Sequence, residues 1–172
     1  MTRSPNSLVL DSASIVTRSA EQTRDLAASL AACAQPGDRL ALVGPLGAGK
    51  TQFAKGFAAG LGVREVVNSP SFTLMAEYDG RLPLFHQDLY RLAGAEDAIQ
   101  GGLLDERQGE GVTITEWGDR LPAELDPGRL TIEIDVDHED ERRIALHPSQ
   151  PTHARYLEAA ARWAADHDRV RQ

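Results

Sequence analysis

RLALVGPLGAGKTQF, residues 39–53, opens on an apolar run, Leu40-Ala41-Leu42-Val43, set between a charge and a glycine. Such a run reads as a buried parallel strand. The next eight residues, Gly44 to Thr51, fit Gly-x-x-x-x-Gly-Lys-Ser/Thr at every fixed position. A helical pattern follows, with Phe53, Phe57 and Ala58 on one face. Strand, glycine loop and helix together are the context a phosphate-binding loop requires. Gly44, Gly47 and Gly49 free the backbone for conformations a side chain forbids. Successive N–H groups then turn inward toward an anion, and the helix N-terminus adds its dipole. Lys50 is placed to reach the β- and γ-phosphates of a nucleotide, and the Thr51 hydroxyl to ligate Mg²⁺. Pro45, Leu46, Ala48 and Gln52 complete the expected nucleotide-binding loop.

Length and charge narrow the classes around that loop. At 172 residues the chain reads as one domain over 1–172, long enough to bury a core without staples. Residues 1–12 read as a flexible start. The formal charge of -8 argues against a general nucleic-acid grip. Cys33 is the one cysteine, which excludes a disulfide framework or a zinc set of cysteines. No run is apolar enough for a membrane span or laid out as a signal peptide, so a cytoplasmic setting is expected.

In chain order, residues 14–17 read as a short strand and Ser19 as a helix N-cap, with Gln22 three residues on as in a capping box. Leu26, Leu30 and Cys33 should face inward, and the helix should stop near Pro36-Gly37. Ser19 and Thr23 read as a cap and a surface hydroxyl, or as a turn bordering the nucleotide base. Residues 68–73, NSPSFT, crowd hydroxyls around a proline, as in a loop that senses a γ-phosphate. Strands are expected at 73–78 and 82–85, joined at Asp79-Gly80. Asp88 then falls just past a strand end, where acids act in open α/β sheets. His86 shares its face and reads equally as structural or functional. Residues 96–106 read as a short helix broken at Gly101-Gly102. The strand Val112–Thr115 delivers Glu116 as the second acid on the metal side. Trp117 is core or a lid. Residues 130–136 and 142–147 alternate as an antiparallel pair at a sheet edge, with the acidic turn 137–141 between them. A helix over 152–172 packs one stripe, Tyr156, Ala160, Trp163, Ala164 and His167, on the body.

Four motifs in this order, GPLGAGKT at 44–51, NSPSFTL at 68–74, HQDLYRL at 86–92 and ITEW at 114–117, resemble the bacterial tRNA threonylcarbamoyladenosine biosynthesis protein TsaE family, small P-loop ATPases. The resemblance runs from about Ser14 to Leu146. It implies an α/β fold: a P-loop NTPase-like three-layer sandwich with a mixed, mostly parallel sheet and antiparallel edge strands. It implies ATP or ADP with Mg²⁺ on Lys50 and Thr51, Glu116 beside the metal, Asp88 needed for hydrolysis and Trp117 next to the site. Lys50, Asp88 and Glu116 are thus the candidate catalytic set. Residues 68–73 would be a switch-like loop, and Ser19 and Thr23 would lie near the adenine. Pro45 stands where many members have Asp, Gln52 where many have a hydroxyl residue, and Ser71 where Thr is common. The resemblance also implies partners, a TsaB–TsaD pair that threonylcarbamoylates adenosine 37 of tRNAs reading ANN codons, and contact with tRNA only through them.

A small-molecule kinase is the alternative, since it also needs a P-loop and an acid. It usually adds an arginine-rich lid, whereas only Arg91 and Arg120 stand beside the motif acids here. A GTP switch is disfavoured because the Asn-Lys-x-Asp stretch that reads guanine is absent.

Overall fold

The computed structural model describes residues 12–100 and 102–169. Residues 1–11 of the flexible start expected at 1–12, Gly101 of the break expected at Gly101-Gly102, and residues 170–172 of the helix expected over 152–172 lie outside the described residues. The strands are β1 (Ala13–Thr17), β2 (Arg39–Val43), β3 (Met75–Tyr78), β4 (Leu84–Asp88), β5 (Val112–Glu116), β6 (Leu130–Val136) and β7 (Arg142–His147). The helices are α1 (Ala20–Ala31), α2 (Lys50–Gly60), α3 (Ala95–Gln100) and α4 (Ala154–Arg169), with 3₁₀ turns at Glu106–Glu110, Gly118–Arg120, Ala123–Leu125 and Pro151–His153.

One seven-stranded sheet holds the fold in the order β1-β7-β6-β2-β5-β4-β3. Its centre, β6-β2-β5-β4, is parallel, and β3, β7 and β1 add antiparallel pairings outside it. The α/β sandwich expected from the P-loop is therefore present. The β6–β7 pair departs from expectation in one respect. It does not form the edge, because β1 pairs along β7 from Ala13↔Leu146 to Thr17↔Arg142 and takes the outer place.

Strand period sorts the two faces. Leu40, Leu42, Ile114, Ile132, Ile134 and Ile144 point to one side and form the main core with Leu26 and Leu30 of α1, Phe53 and Phe57 of α2, and Tyr156 and Trp163 of α4. Over the opposite face lies a thinner cover. Arg39 there donates to Asp126 and, at 2.6 Å, to Gln108, and Gln87 and Gln108 both donate to the Leu103 carbonyl. Gln87 and Gln108 thereby keep the Leu103 carbonyl paired. Among the described residues no helix is long and apolar enough to cross a membrane.

α1 begins as expected. The Ser19 hydroxyl accepts from the Gln22 amide at 3.0 Å. The Gln22 side chain returns to the Arg18 amide at 2.8 Å, one residue earlier than a standard capping box. The helix ends sooner than expected, at Ala31, and Cys33 is only half-buried.

α1 and α2 touch backbone to backbone at Gly56 and Gly60. A Cβ at Gly60 would lie 2.6 Å from the Ala28 carbonyl oxygen, and one at Gly56 would lie 2.6 Å from the Arg24 carbonyl carbon. Alanine gains about 1 kcal/mol over glycine inside an exposed helix. Here overpacking, about 1–3 kcal/mol, outweighs that gain. Gly56→Ala should therefore lower the melting temperature by a few degrees, at about 2–4 °C per kcal/mol for a chain of this size. A rise on thermal melting would show that the two helices separate readily.

Candidate phosphate and metal site

β2 runs into the loop at Gly44, where a side chain has no room against the Ile134 carbonyl of β6. Gly47 (φ 78°) and Gly49 (φ 110°) take left-handed conformations, which is why the loop needs glycine there. α2 then starts at Lys50, with Gly49 as its N-cap. Lys50 is buried, and its Nζ donates to the carbonyls of Gly44 (2.6 Å) and Pro45 (2.9 Å). Ala48 is buried inside the loop, and its carbonyl accepts from Arg142 of β7 at 3.0 Å. Gln52 is held by Arg24 of α1 at 2.6 Å. Leu46 stands exposed at the loop's tip.

β4 and β5 bring the acids to the same end of the sheet. Their register pairs Asp88 with Glu116, so the two carboxylates leave adjacent parallel strands side by side. Asp88 is the last residue of its strand rather than a residue past it. Glu116 Oε1 accepts from the Thr51 hydroxyl at 2.7 Å, and Oε2 faces His86 Nε2 at 2.7 Å. Burial pushes the Glu116 carboxyl up, but the hydrogen bond and charge of His86, with the hydroxyls of Thr51 and Ser69, outweigh it and hold the group below the ordinary carboxylate range. Burial lowers the Lys50 ammonium from its usual value, against the pull of Glu116, Asp119 and Asp88.

Two non-glycine residues with positive φ flank these acids. Trp117 (φ 57°) directly follows Glu116, and its ring lies 3.9 Å from the Lys50 ammonium and 5.1 Å from the Tyr90 ring. Leu74 (φ 66°) closes the hydroxyl-rich loop: its amide bonds the Pro70 carbonyl at 2.8 Å, and its carbonyl accepts from the Asp88 amide at 3.0 Å. That docking carries Ser69 to Asp88, whose Oδ2 accepts from the Ser69 hydroxyl. Each such backbone costs about 1–3 kcal/mol and persists where its surroundings hold it.

Lys50, Thr51, Gln52, Asp88, Glu116 and Trp117 thus line one cavity of about 490 Å³, with Leu46, Gly47, Gly49, Ser69, Ser71, Tyr90 and Arg91. Thr23 is buried and bonded to Thr17 at 2.8 Å; it borders a smaller cavity of about 140 Å³ on the far side of Gly47 and Gln52. Ser19 is spent on its cap and lines a separate cavity with Gln22, Lys55 and His167. The structure therefore parts the two hydroxyls that the sequence placed together. Arg91 lies 4.3 Å over the Phe72 ring, and Arg143 pairs with Asp137 at 3.0 Å on the surface. Ser69 and Tyr90 were not singled out from sequence. The signal for Ser69 was the hydroxyl–proline cluster itself, whereas Tyr90 becomes visible only through its packing on Trp117.

The donor set fits a small hard cation beside phosphate. Thr51, Glu116 and Asp88 offer oxygens alone, as Mg²⁺ prefers. Among the described residues no group of three or more His, Cys, Asp or Glu side chains is placed to hold a metal unaided. Mg²⁺ commonly takes one or two carboxylates and completes its shell with water and phosphate oxygens.

The family described as threonylcarbamoyl adenosine biosynthesis protein TsaE matches residues 17–144. A tRNA threonylcarbamoyladenosine biosynthesis protein TsaE from Bacillus subtilis is 46% identical over 127 residues, 73% of this chain and 79% of that one. The protein of the same name from Treponema pallidum is 42% identical, covering 76% of this chain and 97% of its own. Among solved structures, Bacillus subtilis YdiB superposes with a TM-score of 0.67 at 37% identity, over 92% of this chain and 97% of that one. The matched residues span the loop at 44–51, both acids and all but the first and last strands and α4, and the chain belongs to the TsaE family of threonylcarbamoyl adenosine biosynthesis proteins.

Proposed function

We propose that the chain is the ATP-binding, weakly ATP-hydrolysing subunit of the assembly that forms N6-threonylcarbamoyladenosine at position 37 of ANN-decoding tRNAs. In this reading it works in the cytoplasm with TsaB- and TsaD-like partners and meets tRNA only through them. One observation carries the ATPase assignment: the Thr51 hydroxyl meets Glu116 at 2.7 Å directly beneath the phosphate loop, with Asp88 in register beside it.

The division of labour follows from these positions. The amides of Gly47 to Thr51 and the Lys50 ammonium cradle the β- and γ-phosphates and neutralise charge that grows in the transition state. Thr51 and Glu116, the latter directly or through water, hold Mg²⁺. When bound, Mg²⁺ supplies electrostatic stabilisation of the β- and γ-phosphate oxygens. Two buried carboxylates on neighbouring strands, about 4.8 Å apart at backbone level, repel one another, so a cation between them is favoured. Asp88 orients the attacking water, and its bond to Ser69 ties that acid to the loop at 68–73.

Slow turnover by the isolated chain is expected. Arg91 lines the cavity but lies over Phe72, and the Arg120 guanidinium lies 5.2 Å over the Trp117 ring, so both are engaged by aromatic rings. A partner that completes the site accounts for this. The kinase alternative has no arginine-rich lid among the described residues to support it.

The deciding experiment is ATP hydrolysis by the purified chain alone and with its TsaB–TsaD partners. Clear stimulation by the partners supports the proposal. Brisk turnover alone, raised by a small hydroxylated acceptor and unmoved by the partners, overturns it. Glu116→Ala should lose about 10–100-fold in stimulated turnover, mainly as a shift of the Mg²⁺ dependence to higher concentration. A Mg²⁺ titration that matches the wild type would remove Glu116 from the metal's surroundings.

A further inference from the structure

His86 has no part in the proposal above, yet it makes one of the shortest contacts in the site. β4 places Leu84, His86 and Asp88 on the same face, and Leu84 belongs to the main core. By that pattern position 86 calls for an apolar side chain. It holds an imidazole that is fully buried instead. Nε2 lies 2.7 Å from Glu116 Oε2, while Nδ1 has no hydrogen-bond partner among the described residues. A carboxylate oxygen accepts, so in this contact the ring donates from Nε2. A nitrogen buried without a partner weakens a fold, and an apolar residue would avoid that cost. Packing alone therefore does not account for histidine here.

What the ring does accomplish is geometric. Glu116 has two carboxylate oxygens, of which His86 bonds one and Thr51 the other. Oε2 is taken by His86, and Oε1 is thereby turned to Thr51 at 2.7 Å. We infer that His86 is a positioning residue that sets the carboxylate plane of Glu116, so that Oε1 and the Thr51 hydroxyl face the same cation. This rests on the reading of Thr51 and Glu116 as the metal side of the site. An outer partner that orients a ligating group typically contributes 10–100-fold to metal affinity.

The test uses the full chain, ADP and Mn²⁺, a paramagnetic ion with the same taste for oxygen ligands. Mn²⁺ affinity of the ADP complex is read by electron paramagnetic resonance, and metal-free ADP affinity by calorimetry. His86→Ala should weaken Mn²⁺ by about 10–100-fold while metal-free ADP binding moves less than about threefold. His86→Gln, whose amide N–H can replace the Nε2 donor, should recover Mn²⁺ affinity to within about threefold of wild type. In a Glu116→Gln background, His86→Ala should add less than about twofold, because the residue acts through Glu116. If the alanine variant does not fold, His86→Phe takes its place beside His86→Gln, and a Mn²⁺ difference between those two carries the same weight. Equal, wild-type Mn²⁺ affinity in the glutamine and the alanine or phenylalanine variants overturns the inference, whatever their melting temperatures. A wild-type ADP complex that takes up no Mn²⁺ would sink the metal site itself, and this inference with it.

Discussion

If the chain binds ATP as proposed, Lys50→Ala is expected to remove most of the thermal stabilisation by ATP and to lower turnover by about 10²–10³-fold, the usual loss when one donor to a developing oxyanion is removed. The structure holds the lysine in place through contacts within the chain. Its Nζ is bonded to two loop carbonyls, and the Trp117 ring covers it at 3.9 Å. Little ordering remains to be done when phosphate binds, so most of the charge–phosphate attraction appears as affinity. The size of the effect can be set against a melting curve. At ATP equal to 100 times its Kd, a wild-type site gains about 2.7 kcal/mol. For a chain of this length that is a rise of roughly 5–10 °C. If the variant binds about 100-fold more weakly, the same ATP yields about 0.4 kcal/mol and a shift near 1 °C. Lys50→Arg should not rescue, because a planar guanidinium cannot occupy the space between the Gly44 and Pro45 carbonyls as a compact ammonium does. An alanine variant that still shows the full ATP shift would mean that Lys50 holds only its own loop.

The fold was legible where one physical signal acted alone. β6 and β7 occupy the residues expected from period-two alternation, Leu130–Val136 and Arg142–His147. α2 begins where the glycine loop must end. The loop itself could be read because glycine, lysine and threonine at fixed spacing have few other uses. What could not be read is the pairing of strands distant in sequence. Nothing in Ala13–Thr17 announces that it will cap β7, and so the edge was assigned to the wrong strand. The site was legible to the same degree. Asp88 and Glu116 each mark a strand end, but their side-by-side register comes from β4 and β5 lying next to each other in the sheet. Ser19 is the helix cap that its sequence position suggested, whereas Thr23, read as a surface hydroxyl or as part of a turn by the base, is buried in a bond with Thr17 of β1. Trp117 was ambiguous between core and lid, and a left-handed backbone at that residue resolves it toward the lysine.

Asp88→Asn is expected to lower partner-stimulated turnover by about 10²–10⁴-fold, the range of a positioned acid or base, while ATP affinity stays within about threefold. The substitution is a clean one because the pocket can accept an amide. Asp88 Oδ1 accepts from the Tyr90 amide at 2.9 Å, and Oδ2 accepts from the Ser69 hydroxyl. Asparagine can keep its carbonyl on Tyr90 and turn its NH₂ to Ser69, whose hydroxyl accepts as well as donates. The loop at 68–73 should therefore stay docked, and melting temperature should move by only a few degrees. The variant loses the negative charge beside Glu116. A water held for in-line attack needs an acceptor there, and an amide is a far weaker one than a carboxylate. Single-turnover measurements with saturating ATP separate the outcomes. A slow chemical step with normal binding assigns Asp88 to the reaction. A normal chemical step with lowered stability reduces it to the residue that caps β4 and anchors Ser69. Asp88→Ala then serves as the second point: it leaves the Tyr90 amide and Ser69 without their acceptor, so its added loss of stability over Asp88→Asn measures the structural share alone.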